Sequence, residues 1–409
     1  MALIKKENYF PFITLLITII SVNDWNRIPI GNTYVEWLIL FLAFSFLYKY
    51  IRKHNLFWTN GYKILAIYIV YVIIQTIRGV FVADNYWEYK ALVAGSSALL
   101  MPAFIYYFIT PNNYVQTFVY WYRYAIILFV IFFAWTLQLG AYNFYLSPVL
   151  LFGCFLPLIK RRWRIVMIFL LTLMLFVDLG TRSQVIKAFM CFIISALIIF
   201  TKYTKDIFIK IAHWICYSAA IILLILGISG KYNIFAEIEE GDKIHSSSTT
   251  ENLNADTRSA LYVEVINSAI NNDYIIWGRS PARGNDSDAF GALLGKELRT
   301  GKYERHSNEI GGTNVFTWIG LIGVFLNLII YLRGSYLAVY RSRNVYIKLI
   351  GFYIAFRWMY SWVEDFNRFD IMNLTLWAMI AMGYSKEFRN MSDIEFKNWV
   401  RSVFPKRIL

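Results

Sequence analysis

Histidine and cysteine are scarce in this chain of 409 residues, with four of the first and three of the second. Cys154, Cys191 and Cys216 all fall inside apolar runs, so neither a disulfide framework nor zinc-ligand spacing is available to them. They read as small buried hydrophobes. Charge is also scarce: Asp, Glu, Lys and Arg make up 16% of the chain, against about a quarter in soluble domains. His-Glu-x-x-His, a Walker glycine loop and a Gly-x-Ser-x-Gly elbow are all absent. Nothing in the sequence suits a soluble nucleotide donor. The acidic run of Glu237, Glu239, Glu240 and Asp242 fits a solvated loop better than a cation site. No repeat and no low-complexity segment is visible.

What the chain has in quantity is apolar and aromatic residues, 58% and 19%. They come in long runs separated by short polar breaks, the pattern of an all-α polytopic membrane protein. Twelve candidate spans follow, at roughly 9–22, 33–49, 64–82, 91–109, 115–139, 146–159, 165–180, 183–201, 207–229, 311–332, 345–362 and 371–384. Domain organisation follows: nine spans over 1–229, a large loop over 230–310, three spans over 311–384, and a basic tail over 385–409. Lys5 and Lys6 precede the first run without a small-residue cleavage site, as in a retained signal anchor.

Sidedness comes from the short loops. With the N-terminus in the cytoplasm, the inner loops hold Lys49, Arg52, Lys53, the run Lys160, Arg161, Arg162 and Arg164, then Lys202, Lys205, Arg333, Arg341 and Arg343. The outer short loops carry little beyond Arg27, Lys90, Arg182 and Arg368. The large loop then lies outside and the C-terminus inside. That loop has nine Lys/Arg against thirteen Asp/Glu, so the net charge of +14 sits elsewhere and is a topology signal, not a nucleic-acid footprint. From Ser392 the tail mixes Ile394, Phe396, Trp399, Val400 and Phe404 with Lys and Arg, which predicts an amphipathic helix lying on the inner leaflet.

The chemistry-bearing residues cluster between Asp256 and Gly323. Arg258 opens a helix with Asp256 or Thr257 as N-cap and an apolar face of Leu261, Val265 and Ala269, with Tyr262 and Ile266 beside it. It serves either as a surface arginine paired with Asp256 or, with the helix dipole, as an anion ligand. Arg279 and Arg283 lie in the turn Trp277-Gly-Arg-Ser-Pro-Ala-Arg-Gly-Asn-Asp286, where two guanidiniums suit bidentate phosphate recognition. Arg299 and Arg305 alternate with Lys296, Glu297, Lys302 and Glu304, as on a solvated face. Arg182, in the tight turn Asp178-Leu-Gly-Thr-Arg-Ser183, either snorkels or joins backbone N–H groups on an anion. His306 is the one histidine placed both outside and at the start of a span. Its neutral imidazole can take a proton from a hydroxyl, or it is a polar interface residue. His54 falls inside, His213 mid-span and His245 in a Ser/Thr-rich stretch. Arg78, Arg357, Glu364 and Asp365 are charges near spans that need partners or line a path.

The Thr181-Arg-Ser183 turn, the Arg258 helix running to Trp277-Gly278, the turn to Gly284, His306-Ser-Asn308 and Trp318-Ile-Gly-Leu-Ile-Gly323 together resemble the bacterial O-antigen polymerase and O-antigen ligase superfamily. The likeness covers roughly residues 175–335, and His306-Ser-Asn308 stands where that family has a His-Asn pair. The resemblance implies a twelve-span glycosyltransferase of the GT-C type in the bacterial inner membrane, with a large periplasmic loop and neither metal nor soluble cofactor. It implies an undecaprenyl-pyrophosphate-linked oligosaccharide as donor, held by Arg182, Arg258 and one of Arg279 or Arg283, with His306 activating the acceptor hydroxyl. Membrane lipids and a chain-length regulator are the implied partners. The expectation is an O-antigen or capsule polymerase. The alternatives are a ligase transferring the glycan to lipid A–core and a polysaccharide transporter or flippase.

Overall fold

The computed structural model describes residues 9–200, 206–228, 258–287, 291, 302–365 and 367–404. The chain is all-α, with one two-residue β-pairing. In chain order the principal helices are α1 (Tyr9–Ile20), α2 (Thr33–Lys53), α3 (Lys63–Val82), α4 (Tyr86–Leu100), α5 (Pro111–Leu128), α6 (Arg161–Phe176) and α7 (Arg182–Ile199). They continue as α8 (Asp206–Ile228), α9 (Arg258–Asn271), α10 (Gly311–Tyr340), α11 (Val345–Tyr360), α12 (Ile371–Tyr384) and α13 (Asp393–Ser402). Polar side chains set several starts. Asn32 accepts from the N–H groups of Tyr34 and Val35, Asn85 from Trp87 and Glu88, and Asp370 from Asn373.

Among the described residues, six helices are long and apolar enough to cross a membrane: Thr33–Lys53, Lys63–Val82, Tyr86–Phe108, Pro111–Thr136, Arg182–Ile199 and Gly311–Tyr340. Tyr9–Trp25 and Ile371–Tyr384 are shorter apolar helices. Several present apolar residues on both faces. In α3, Leu65, Tyr68 and Val72 are buried while Ile74, Ile77 and Phe81 are exposed. A helix apolar all round belongs in lipid or in a core, and so large an exposed apolar surface suits lipid. The segment 146–159 does not form one helix. Pro148 opens a six-residue helix that ends at Gly153, and Pro157 sits in a 3₁₀ turn over Leu156–Leu158.

Helix α10 packs against α3, α11 and α12, and α8 packs on α11. His213 of α8 and Tyr217 both reach Ser335 of α10, at 3.1 and 2.9 Å. The three cysteines are free and buried.

The tail helix corrects the expectation drawn for it. α13 has the predicted amphipathic pattern and starts in a capping box between Ser392 and Glu395. Its apolar face, however, is covered by protein. Trp399 packs against Phe388 at 4.7 Å between ring centres and Tyr114 at 5.6 Å, and Phe396 against Phe155 at 5.1 Å. The Trp399 indole N–H donates to the Pro111 carbonyl at 3.2 Å. The apolar stripe closes the helical core where a lipid leaflet was expected.

Candidate functional site

The site is built on a break in α10. Gly320 has φ 67° and ψ −171°, a conformation that only glycine adopts readily, and it interrupts an otherwise continuous apolar helix. The break frees backbone groups on both sides, and the segment after α9 takes them. The N–H groups of Arg279 and Ser280 donate to the carbonyls of Thr317 and Trp318 at 2.6 and 3.2 Å. The N–H groups of Leu321 and Ile322 donate to the carbonyls of Ile275 and Ile276 at 2.9 and 3.4 Å. Irregular backbone inside an apolar helix survives only when its polar groups are met in this way. Arg78 of α3 donates to the carbonyls of Trp277 and Gly278, and Tyr71 to that of Ile319 at 2.8 Å, so α3 braces the same crossing.

The chain then turns through Arg279–Gly284 into β1 (Asn285–Asp286), which pairs antiparallel with β2 (Glu304–Arg305). Glu304 is the centre of this hairpin. Arg283 holds its carboxylate with two nitrogens, Nε lying 2.8 Å from Oε2, and Arg279 Nη2 lies 3.1 Å from Oε1. Arg279 Nη1 also donates to Asp286 at 2.7 Å and to the Gly284 carbonyl at 2.9 Å. Burial pushes the Glu304 carboxyl upward, but the bonds from Arg283 and the two guanidinium charges outweigh it and hold the group below its ordinary value. The two arginines expected to face phosphate are thus engaged by Glu304 and Asp286.

Two residues beyond Glu304 lies His306, partly buried in the loop that enters α10. Asn308 and Asn314 lock this loop. The Asn308 N–H donates to Asn314 Oδ1 and Asn314 Nδ2 to the Asn308 carbonyl, both at 2.8 Å, while Thr313 and the Ile310 N–H donate to Asn308 Oδ1. Asn308 is therefore an anchor of the helix start. Trp318 donates to the His306 carbonyl at 3.0 Å, tying the loop to the turn just before the break. Burial lowers the His306 pKa from 6.5, against the opposing charges of Glu304 and Glu88. Its Nδ1 is buried without a hydrogen-bond partner among the described residues.

His306, Ser307 and Trp318 line a cavity of about 460 Å³. Its other walls are the α1–α2 turn with Asp24, the first turns of α2 with Glu36 and Trp37, α4 with Lys90 and Ser97, and Asn367–Asp370 before α12. Arg368 stands over the Trp25 ring at 5.0 Å. Sequence reasoning noted Lys90 and Arg368 as basic exceptions in outer loops but passed over Glu36, Asn367 and Asp370. Those residues are brought together from distant parts of the chain, and no local spacing marks them.

The remaining candidates fall elsewhere. Arg182 begins α7 and is exposed, in a turn where Asp178 accepts from the Gly180 N–H at 2.9 Å. Part of the expected anion nest is thus closed by the chain's own carboxylate. Arg258 begins α9, whose Leu261, Val265 and Ala269 are buried as predicted. Its side chain, the caps at Asp256 and Thr257, His245 and Arg299 lie outside the described residues. Arg305 pairs with Glu309 at 2.8 Å. Arg357 and Lys187 both pair with buried Asp365, at 2.7 and 3.1 Å, an internal pairing that joins α7 and α11 to the loop before Asn367. Among the described residues, no group of His, Cys, Asp or Glu is arranged to hold a metal ion. No family model, curated protein or solved structure matches this chain.

Proposed function

We propose that this membrane protein is a glycan polymerase of the inner membrane, joining O-antigen or capsule repeat units at the periplasmic face, within the twelve-span topology set out from the sequence. The observation that carries the reading is His306: an imidazole whose pKa burial lowers, with an unpartnered buried nitrogen, on a loop locked by the hydrogen bonds of Asn308 and Asn314, beside a cavity at the start of an apolar helix. Such a group is suited to accept a proton. In the proposed step, His306 takes the proton of a sugar hydroxyl on an incoming lipid-linked unit. The hydroxyl oxygen forms a bond to the anomeric carbon of the donor glycan. The bond from that carbon to the pyrophosphate oxygen breaks, and undecaprenyl pyrophosphate leaves with the electron pair. Arg182 and Arg258 are the proposed ligands of that leaving group. Arg279 and Arg283 join them only by exchanging Glu304 and Asp286 for phosphate, since a guanidinium fork can serve either anion.

The broken α10 lends some support to a transporter, because discontinuous helices build substrate sites in transporters. Here the four freed groups named above are bonded to residues 275–280, which favours a structural role for the break and the enzyme reading over transport.

The test places His306→Ala and Arg258→Ala in a strain lacking the gene, with protein levels matched and surface polysaccharide run on a gel. Single-repeat caps on lipid A–core in both variants support the polymerase. Bare core with accumulated long lipid-linked glycan assigns the ligase instead. Full-length ladders in both overturn the site.

A further inference from the structure

The strand that carries His306 is tied to the helices by an ion pair at the start of α4. Glu88 stands in the first turn of α4 and is 1% exposed. Its carboxylate closes the helix start: Oε2 accepts from the Asp84 N–H at 2.9 Å and Oε1 from Asn85 Nδ2 at 3.0 Å. Both donors are neutral, and a buried carboxylate also calls for a cation. Lys302 supplies it from 214 residues away. Its ammonium lies 2.6 Å from Glu88 Oε1 and 2.8 Å from Asp84 Oδ2. Lys302 stands two residues before Glu304 and four before His306. The turn beside this strand is seated on the same helix pair, where Ala282 packs with Ala83 and Leu92. An exposed lysine pair would hold little, but here one partner is buried, so the strand has a fixed anchor.

The same two side chains bring opposite charges to the imidazole. Burial is the first cause of the lowered His306 pKa; Glu304 and Glu88 oppose it, and Arg283 and Lys302 add to it. Of the other charges near His306, Arg305 and Glu309 pair with each other on its own loop, and Asp84 shares Lys302 with Glu88. Across the cavity stand Asp24, Glu36, Lys90, Arg368 and Asp370. We propose that Glu88 and Lys302 are positioning residues for His306, an ion pair that anchors the strand carrying the imidazole to α4 and sets the charge around it. The proposal deepens the reading of His306 as the base and rests on it.

The experiment uses the full chain in lipid nanodiscs and two readouts against pH. The first is acylation of His306 by diethyl pyrocarbonate, which attacks only the unprotonated imidazole, located by mass spectrometry. The second is turnover, read as polymer formed. Melting temperature is the folding check. Glu88→Gln removes a charge that favours the imidazolium, so the labelling midpoint should fall by about half a pH unit. Lys302→Met removes a charge that disfavours it, so the midpoint should rise by about as much, and Lys302→Arg should keep the parent midpoint. The acid limb of turnover should follow in each case. A mere brace misplaces the strand in the same way whichever partner is lost. Parent midpoints in both Glu88→Gln and Lys302→Met, or shifts of one sign, therefore overturn the proposal while an inactive His306→Ala leaves the base in place. Opposite labelling shifts that turnover ignores, or a fully active His306→Ala, overturn the base reading and the positioning role with it. Should Glu88→Gln melt well below the parent, Lys302→Met decides, at a side chain 27% exposed: a raised midpoint supports the proposal and a parent midpoint overturns it.

Discussion

Gly278 and Gly320 meet backbone to backbone where the post-α9 segment crosses the break in α10. A Cβ on Gly278 would stand 2.5 Å from the Gly320 nitrogen, and one on Gly320 would stand 2.2 Å from the Ile276 carbonyl oxygen. Both residues have positive φ, 74° and 67°. Any side chain therefore meets strain and collision together, and neither neighbour can give because both are backbone. Gly320→Ala should destabilise the protein by about 3 kcal/mol or more. The check is the melting temperature of the purified variant beside Gly323→Ala. There the colliding atoms belong to the Ile319 side chain and the backbone is helical, so the collision comes without positive-φ strain and the loss should be smaller.

The pH dependence of His306 has a definite sign. Burial lowers its pKa from 6.5, so the folded protein binds this proton less readily than the unfolded chain. Its contribution to stability is therefore present above about pH 6.5 and is lost as pH falls from there through the lowered folded value. A catalytic base with the same shift stays active through neutral pH and fails only on the acid side. Turnover should be flat from about pH 8 to 6.5 and fall below it, and His306→Ala should remove that limb together with roughly a hundredfold or more of rate. Polymer formation measured against pH in both proteins checks this, and an unchanged acid limb in the variant would sink the assignment.

Most helix positions were legible because each rests on a local signal, such as an apolar run, an Asn or Asp cap, or the Leu261–Val265–Ala269 stripe; the run 146–159 was not, because Pro148 and Pro157 break it. Partners were not. Arg279 and Arg283 read as phosphate ligands because Glu304, which engages Arg283, is 21 residues away. Lys187 finds Asp365 across 178 residues and joins a pairing the sequence could not name. Asp370 gave no sign beyond a helix start. For α13 the pattern told which face is apolar, and an amphipathic period is the same whether lipid or protein covers that face.

Removing the Glu304 charge leaves Arg283 without its bidentate partner and Arg279 with Asp286 as its remaining carboxylate among the described residues. Both guanidiniums are largely buried, at 19% and 13% exposure. Glu304→Gln should cost on the order of 3 kcal/mol, and pairing it with Arg283→Met should recover part of the loss, since the uncompensated charge goes with it. The pH sign is opposite in origin to that of His306: the carboxyl is held below its ordinary value, so its contribution is present above about pH 4.5 and is lost as pH falls through the folded value. Melting curves of the parent, the two single variants and the double variant, taken at pH 7 and below 4.5, check both statements. A double variant no more stable than Glu304→Gln would mean that Arg283 is not what the carboxylate holds.

Two residues of α13 separate a protein-covered face from a lipid-covered one. Trp399 is 8% exposed and wedged among Tyr114, Phe152 and Phe388, whereas Ile394 is 73% exposed on the same helix. Trp399→Ala should cost about 3 kcal/mol or more through the cavity it leaves. Ile394→Ser should stay within about 0.5 kcal/mol. The measurement is thermal unfolding of the purified protein in detergent. A large loss for Trp399→Ala beside a small one for Ile394→Ser belongs to intramolecular packing, because Trp399 is the residue buried among Tyr114, Phe152 and Phe388. Equal and small effects for both substitutions would return the helix to the membrane surface.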